Sequence, residues 1–209
     1  MISHIINETD LNPSIFHYIP NFLNINEERA LLKYLNETTD FLPSPNFTDN
    51  YSRLQKWYQT DQKYFCPLWK ARFEQWKSFE IDSVIIELIN KIQLFINSIQ
   101  DINSTITIPK INSCLINKYP SGNHHISPHR DSPQSFGEEP TIIGLSIGDT
   151  RTIMFERAEK NFNNNFSFDL ESRSIFIMAG SSQQKYLHSI KKNKSKNVRY
   201  SLTFREFIL

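Results

Sequence analysis

Cysteine is nearly absent from this chain. Cys66 and Cys114 are the two among 209 residues, too few for a disulfide framework, and no paired Cys motif suggests zinc. A reducing, intracellular setting is therefore expected. Net charge is nearly absent too: 23 Lys and Arg face 22 Asp and Glu, leaving +1. A protein wrapped wholesale around nucleic acid would be far more basic, so any such contact must rest on a local patch. No long apolar run occurs. The most apolar stretch, Ile81 to Ile99, is broken by Asp82, Glu87, Lys91 and Gln93, which excludes a transmembrane helix. Residues 1–20 show neither a positive n-region nor an apolar h-region, so no export signal is expected there. Glycine is scarce, at five, whereas 16 Phe, eight Tyr and three Trp are plentiful, and 39% of residues are hydrophobic. That suffices for a sizeable core and excludes a disordered chain.

The length suits one domain, and no internal repeat or long linker divides it. We expect a single domain over residues 1–209, with N-terminal helices and an aromatic segment in 1–105 and a β core in 106–209. Residues 22–42 read as a helix behind a capping box, Asn24 with Glu27 three residues on, ended by Pro43 and Pro45. A second helix, roughly 82–99, carries Ile85, Leu88, Ile89, Ile92, Ile96 and Ile99 at helical spacing. Between them, residues 46–80 read as irregular and aromatic. After residue 105 come short β-like runs at 113–119, 141–147, 151–156, 166–170, 174–178 and 198–206. Such spacing suggests a sandwich or jelly-roll barrel.

Polar residues within those strands carry the chemistry. Alternation in the last strand sets Arg199, Ser201, Thr203 and Arg205 on one face, against Tyr200, Leu202 and Phe204 on the other. The polar face is either solvated or lines a wet cavity. In 113–119 the same alternation groups Leu115, Asn117 and Tyr119. His129 and Asp131, two apart, point the same way in an extended segment, as two ligands of one metal would. His188, just after a predicted strand, could return beside them in a barrel. Two imidazoles and one carboxylate leave adjacent positions of a ferrous ion open, as oxygen-activating non-heme iron requires; a surface His-x-Asp is the plainer alternative. If iron sits there, Arg199 and Arg205 supply planar forks for a dicarboxylate beside it.

The ordered set Asn117-x-Tyr119, His129-x-Asp131, His188, Arg199 and Arg205, closing in RYSLTFRE, resembles the AlkB-type iron(II) and 2-oxoglutarate-dependent dioxygenases. CLINKY, LSIGDTRTIMF and MAGSSQQKYLHSI are further echoes, and RLQKWY at 53–58 is similar to the family's nucleotide-recognition segment. The resemblance is dense over 112–207 and looser over 18–80. It implies a mainly β fold, a double-stranded β-helix (jelly-roll) with N-terminal helices. It further implies that His129, Asp131 and His188 hold Fe(II). Arg199 would bind the distal carboxylate of 2-oxoglutarate and Arg205 its metal-proximal end, with Asn117, Tyr119 and Ser201 completing that site. Ser201 stands where members often have Asn.

The implied reaction consumes 2-oxoglutarate and O₂ and oxidatively demethylates an alkylated base of DNA or RNA, releasing succinate, CO₂ and formaldehyde. A monomeric enzyme with a nucleic-acid partner and no membrane contact is expected. Arg53, Trp57, Tyr58, Leu115 and Ser132 are the substrate candidates, Trp57 and Tyr58 by stacking on a base. Lys191, Lys192, Lys194 and Lys196, before the last strand, would grip phosphates at the cavity rim or form an ordinary solvated hairpin. Several repair members carry another acidic residue after the metal Asp. Here Ser132 and Pro133 follow, and Ser52 and Gln59 replace a usual Pro and Gly. Other readings are the same iron chemistry on a protein side chain, a lipid or a tRNA base, a non-catalytic nucleic-acid-binding module, and a cupin-like binder.

Overall fold

In the computed structural model, residues 1–7, 12–43, 52–60, 78–100, 106–159 and 165–208 are described. The strands β1 (Ile2–Ile6), β2 (Ser14–Ile19), β3 (Leu42–Pro43), β4 (Leu54–Gln59), β5 (Ser113–Tyr119), β7 (Ile142–Gly148), β10 (Ile175–Gly180) and β12 (Arg199–Arg205) form one sheet, ordered β1-β2-β10-β7-β12-β5-β4-β3. A second sheet, ordered β6-β11-β8-β9, comprises β6 (Ile126–His129), β8 (Arg151–Arg157), β9 (Phe166–Leu170) and β11 (Tyr186–Ile190).

Period-two alternation gives the large sheet two different faces. On one, Ile116, Leu145, Ile147, Tyr200, Leu202 and Phe204 pack with α1 (Ile25–Glu37) and α2 (Ser83–Gln100). Leu31 and Leu35 of α1 and Ile85, Ile92 and Ile96 of α2 are buried there, each burial contributing roughly 1.5–3 kcal/mol. The opposite face meets the second sheet through Phe16, Phe155, Phe176, Met178 and Tyr186, with Phe166 and Phe168 packed against them. The polar residues of β5 and β12 lie on this inner face. The cavity they line between the sheets decides between the two readings of the last strand.

The α1 capping box forms as expected: Asn24 Oδ1 accepts from the Glu27 backbone N–H at 3.0 Å, and the Asn24 N–H donates to the Glu27 carboxylate at 2.8 Å. The helix nonetheless ends at Glu37, before Pro43. Thr38 caps it, its hydroxyl donating to the Tyr34 carbonyl at 2.8 Å, and Asp40 takes a positive φ of 61°. Polar side chains that compete for backbone stop the helix before proline can. The second helix begins behind Asp82, whose carboxylate accepts the Ile85 N–H at 3.0 Å.

Part of the segment expected to be irregular is a strand. Residues 54–59 pair antiparallel with β5, Trp57 opposite Leu115. The other aromatics of that segment, Tyr51, Tyr64, Phe65, Trp69, Phe73 and Trp76, lie outside the described residues, as does Cys66. No described helix is long and apolar enough to cross a membrane.

Candidate active site

Strand pairing assembles the histidines. His129 on β6 is the register partner of His188 on β11, so both rings project from one face, their centroids 4.2 Å apart. Asp131 follows two residues beyond His129, and one ligand atom from each of the three lies within 4.8 Å of the others. The ring of His129 is oriented by its Nδ1, which donates to the Ser127 carbonyl at 3.0 Å. That leaves Nε2 with its lone pair free, 3.9 Å from Asp131 Oδ1. Such a bond to the far nitrogen is how a metal-binding imidazole is commonly held.

Asp131 is fixed from two sides. Its backbone N–H donates to Gln183 Oε1 at 3.0 Å, and Arg205 Nε lies 2.7 Å from its Oδ2. Gln183 sits on a short helix (Ser182–Lys185), which β10 enters through Gly180 at φ +61°. An added Cβ on Gly180 would lie 2.0 Å from the Pro13 carbonyl oxygen, so glycine is required at that turn. Burial raises the pKa of Asp131, but the positive charge of Arg205 and the neighbouring histidines and Arg53 outweigh it and hold the carboxyl below its ordinary value. Burial pushes both imidazoles down, that of His188 to about 3 with His129 adding to the effect. The cluster thus presents one carboxylate and two neutral imidazoles, the donor set a divalent metal needs.

A row of polar residues crosses the inner face in register: Gln55 on β4, Asn117 on β5, Ser201 on β12 and Ser146 on β7. Asn117 Oδ1 accepts from Arg53 Nε at 2.7 Å. Beyond this row lies Arg199, 1% exposed. Its Nη2 donates to Ser146 Oγ at 3.0 Å, while Nε and Nη1 are buried without a hydrogen-bond partner. Tyr119 is packed between two guanidiniums, Arg199 at 5.2 Å and Arg151 at 5.7 Å from its ring centre. A buried arginine with donors unspent calls for an anionic acceptor, and a carboxylate matches its fork. By this test the residues fit a metal with a dicarboxylate beside it.

The cavity has a volume of about 520 Å³. His129, Asp131, His188, Arg199, Ser201 and Arg205 line it, as do Arg53, Trp57, Leu115, Asn117 and Ser132. Tyr119 supports it from behind Arg199. Part of its wall is apolar, with Ile142, Phe176 and Met178 on β7 and β10 of the large sheet. Trp57, 2% exposed, packs with Leu115, Phe136 and Phe207 and donates its indole N–H to Gln59 at 2.9 Å.

Tyr58 requires a correction. Being adjacent to Trp57 on a strand, it faces the other way into the helix-side core, with its hydroxyl 3.1 Å from that of Tyr34. A residue held there cannot stack on a base in the cavity.

Beside Tyr119 stands an arginine that spacing alone did not reveal. Arg151, buried at the start of β8, donates from Nη2 to the carbonyls of His124, at 3.0 Å, and Lys191. It thereby ties the β5–β6 loop to the loop carrying the lysines. These loops also bond through Gly122 and Asn193, and a Cβ at Gly122 would fall 1.9 Å from Asn193 Oδ1. Lys191, Lys192, Lys194 and Lys196 are exposed, with Lys191 3.9 Å from Glu156. The signal for Arg151 was an arginine opening a β-run, which without a partner reads as a solvated charge.

A profile of the 2OG-Fe(II) oxygenase superfamily matches residues 16–205. A curated relative, the DNA oxidative demethylase ALKBH2 of Arabidopsis thaliana, is 25% identical over 118 residues, covering 46% of this chain and 38% of its own. The match thus spans under two-fifths of that relative's length. Among solved structures, one described as the structure of OsALKBH1 superposes with a TM-score of 0.66 at 16% identity, over 91% of this chain and 97% of that one. A prolyl hydroxylase from Trichoplax adhaerens, in complex with a hypoxia-inducible-factor peptide, gives 0.60 at 15% identity, over 92% and 83%. A Pseudomonas putida prolyl-4-hydroxylase gives 0.57 at 13%, over 92% and 91%. At these identities the structural likenesses establish the double-stranded β-helix and nothing finer.

Proposed function

The chain belongs to the 2OG-Fe(II) oxygenase superfamily, an AlkB-like enzyme using Fe(II), 2-oxoglutarate and O₂, and from that premise we propose that it oxidatively dealkylates bases of DNA or RNA. The observation that carries the chemical part is the convergence of His129, Asp131 and His188 beside Arg199, a buried guanidinium with two donors unspent. The support for a nucleic-acid substrate is the similarity to ALKBH2, whose name describes a DNA oxidative demethylase.

His129, Asp131 and His188 would hold the iron. Arg199 would pair with the distal carboxylate of 2-oxoglutarate, assisted by Tyr119 and Ser201. Asn117 would donate from its amide nitrogen, since its oxygen is already taken by Arg53. Arg205, with Nη1 unpartnered, would serve both Asp131 and the metal-proximal end of the co-substrate. Bound iron supplies the oxidising chemistry: one oxygen atom of O₂ enters succinate as 2-oxoglutarate loses CO₂, and the other is inserted into a C–H bond of the alkyl group. The resulting hydroxymethyl on nitrogen releases formaldehyde and restores the N–H. The protein's share is to orient both substrates and to keep water away through the apolar wall.

Purified protein supplied with Fe(II), 2-oxoglutarate and a panel of methylated DNA and RNA oligonucleotides should form succinate and formaldehyde in equal amounts. Succinate formation stimulated by a peptide, with no methylated oligonucleotide having any effect, would overturn the nucleic-acid assignment and leave the oxygenase standing.

A further inference from the structure

The charged side chains lining the cavity, among the described residues, are Arg53, Arg130, Arg199 and Arg205 against Asp131 alone. Four positive charges against one negative leave the wall at +3. A divalent cation and a dicarboxylate bound there cancel each other, so that excess persists in the loaded enzyme. Arg199 and Arg205 have occupants in the reading above, and Arg130 is exposed. Arg53 is different. Asn117 holds its Nε at 2.7 Å, which fixes the guanidinium on the inner face, while its Nη1 is buried without a hydrogen-bond partner. It lines the same cavity as His129, Asp131, His188 and Arg205. The residue after Asp131, where a second carboxylate could balance the site, is the neutral Ser132.

A base presenting its alkylated nitrogen to the metal also presents the groups on either side of that nitrogen. In an N3-methyluracil or N1-methylguanine the base is neutral and a carbonyl flanks the methylated nitrogen. N3-methylcytosine also keeps a carbonyl beside its methylated nitrogen and N1-methyladenine has none, but both are cations at neutral pH. A buried donor needs an acceptor, and a positive wall disfavours a positive guest. We propose that this site selects neutral alkylated bases over cationic ones through its excess positive charge, with Arg53 donating through Nη1 to a carbonyl beside the alkylated nitrogen where the base has one. The inference rests on the nucleic-acid reading and assigns its substrate class.

The test compares oligonucleotides that differ only in 3-methyluridine against 3-methylcytidine, which share the methyl position and differ in charge. Succinate formation gives kcat/KM, and fluorescence anisotropy gives binding to the metal-free protein. The neutral base should be favoured by roughly tenfold or more in kcat/KM and should bind more tightly. In Arg53→Met that preference should shrink to within about threefold, whereas Arg53→Lys, keeping charge but losing the fork, should still disfavour the cation. Equal or better turnover of 3-methylcytidine would overturn the inference and leave the dealkylase reading intact. Equal weakening of every oligonucleotide by Arg53→Met would also overturn it, placing Arg53 on the phosphate backbone. Inactivity on all bases would remove both readings together. The wild-type comparison decides the matter even if a variant fails to fold.

Discussion

Replacing Arg199 by Met separates binding from folding. The guanidinium is buried with Nε and Nη1 unpartnered and one bond, to Ser146. Removing it in the ligand-free protein forfeits that bond, worth about 0.5–1.5 kcal/mol, and a stacking interaction with Tyr119 of about 0.5–2 kcal/mol. It also relieves a buried charge and two unmet donors, at about 1–3 kcal/mol each. On these figures the relief matches or exceeds the loss, so ligand-free stability should fall by no more than about 1.5 kcal/mol and is expected to hold or rise. The 2-oxoglutarate complex should suffer far more. Truncating one partner of a buried, hydrogen-bonded charge pair costs about 2–5 kcal/mol, which weakens binding roughly thirtyfold at the lower end. The assay is thermal unfolding with redox-inert Mn(II), with and without 2-oxoglutarate. At 100 times Kd the wild type gains about 2.7 kcal/mol, and the variant at the same concentration should gain about 1 kcal/mol or less. A variant keeping the full ligand-induced gain would move the carboxylate site away from Arg199.

Asp131→Ala or His129→Ala should abolish succinate formation with the fold retained by circular dichroism; full turnover in both variants would remove the metal assignment. His17, buried on β2 beside Ser3, has its pKa lowered by desolvation. The unfolded chain therefore binds a proton near pH 6.5 that the fold resists, so stability is lost as pH falls below about 6.5, by at most about 1.4 kcal/mol per pH unit from this group. That slope should flatten in His17→Asn, and an unaltered slope would refute the attribution. Replacing Lys191, Lys192, Lys194 and Lys196 by Ser should weaken oligonucleotide binding and lower the salt slope by about 0.9 for each phosphate no longer neutralised; an unchanged slope would return the loop to an ordinary hairpin.

The site was legible where one strand carries its own evidence. Alternation alone put Arg199, Ser201, Thr203 and Arg205 on one side of β12. It could not say whether that side met water, because the answer lies in β8 and β11, which cover it from another sheet. The β6 strand, ISPH, has no apolar alternation and contains Pro128, so it is a strand only by pairing with β11. Likewise β2 is buried along nearly its whole length between β1 and β10, and a short, nearly continuous apolar run has no periodicity to read. Tyr58 is the opposite case. Once 54–59 is a strand, period two alone forbids Trp57 and Tyr58 from facing one cavity. Only in an irregular segment would such neighbours be free to point together.

The position of Arg205 bears on how the metal is held. A carboxylate can give a metal one oxygen or two, and only the first leaves three adjacent positions for 2-oxoglutarate and O₂. Here the two oxygens have different surroundings. Oδ2 lies 2.7 Å from Arg205 Nε, whereas Oδ1 is the one near His129, at 3.9 Å from its Nε2. Arg205 is itself buried and packed over Phe136 at 4.7 Å, so it cannot swing away without leaving a charge unpaired. The charge of Arg205 beside Oδ2 would favour Oδ1 as the oxygen that Asp131 gives a metal. An arginine at the end of the last strand, remote from His129 in sequence, would thus help keep positions open on a metal held by His129, Asp131 and His188, which neither His129-x-Asp131 nor the arginine pair reveals when read alone.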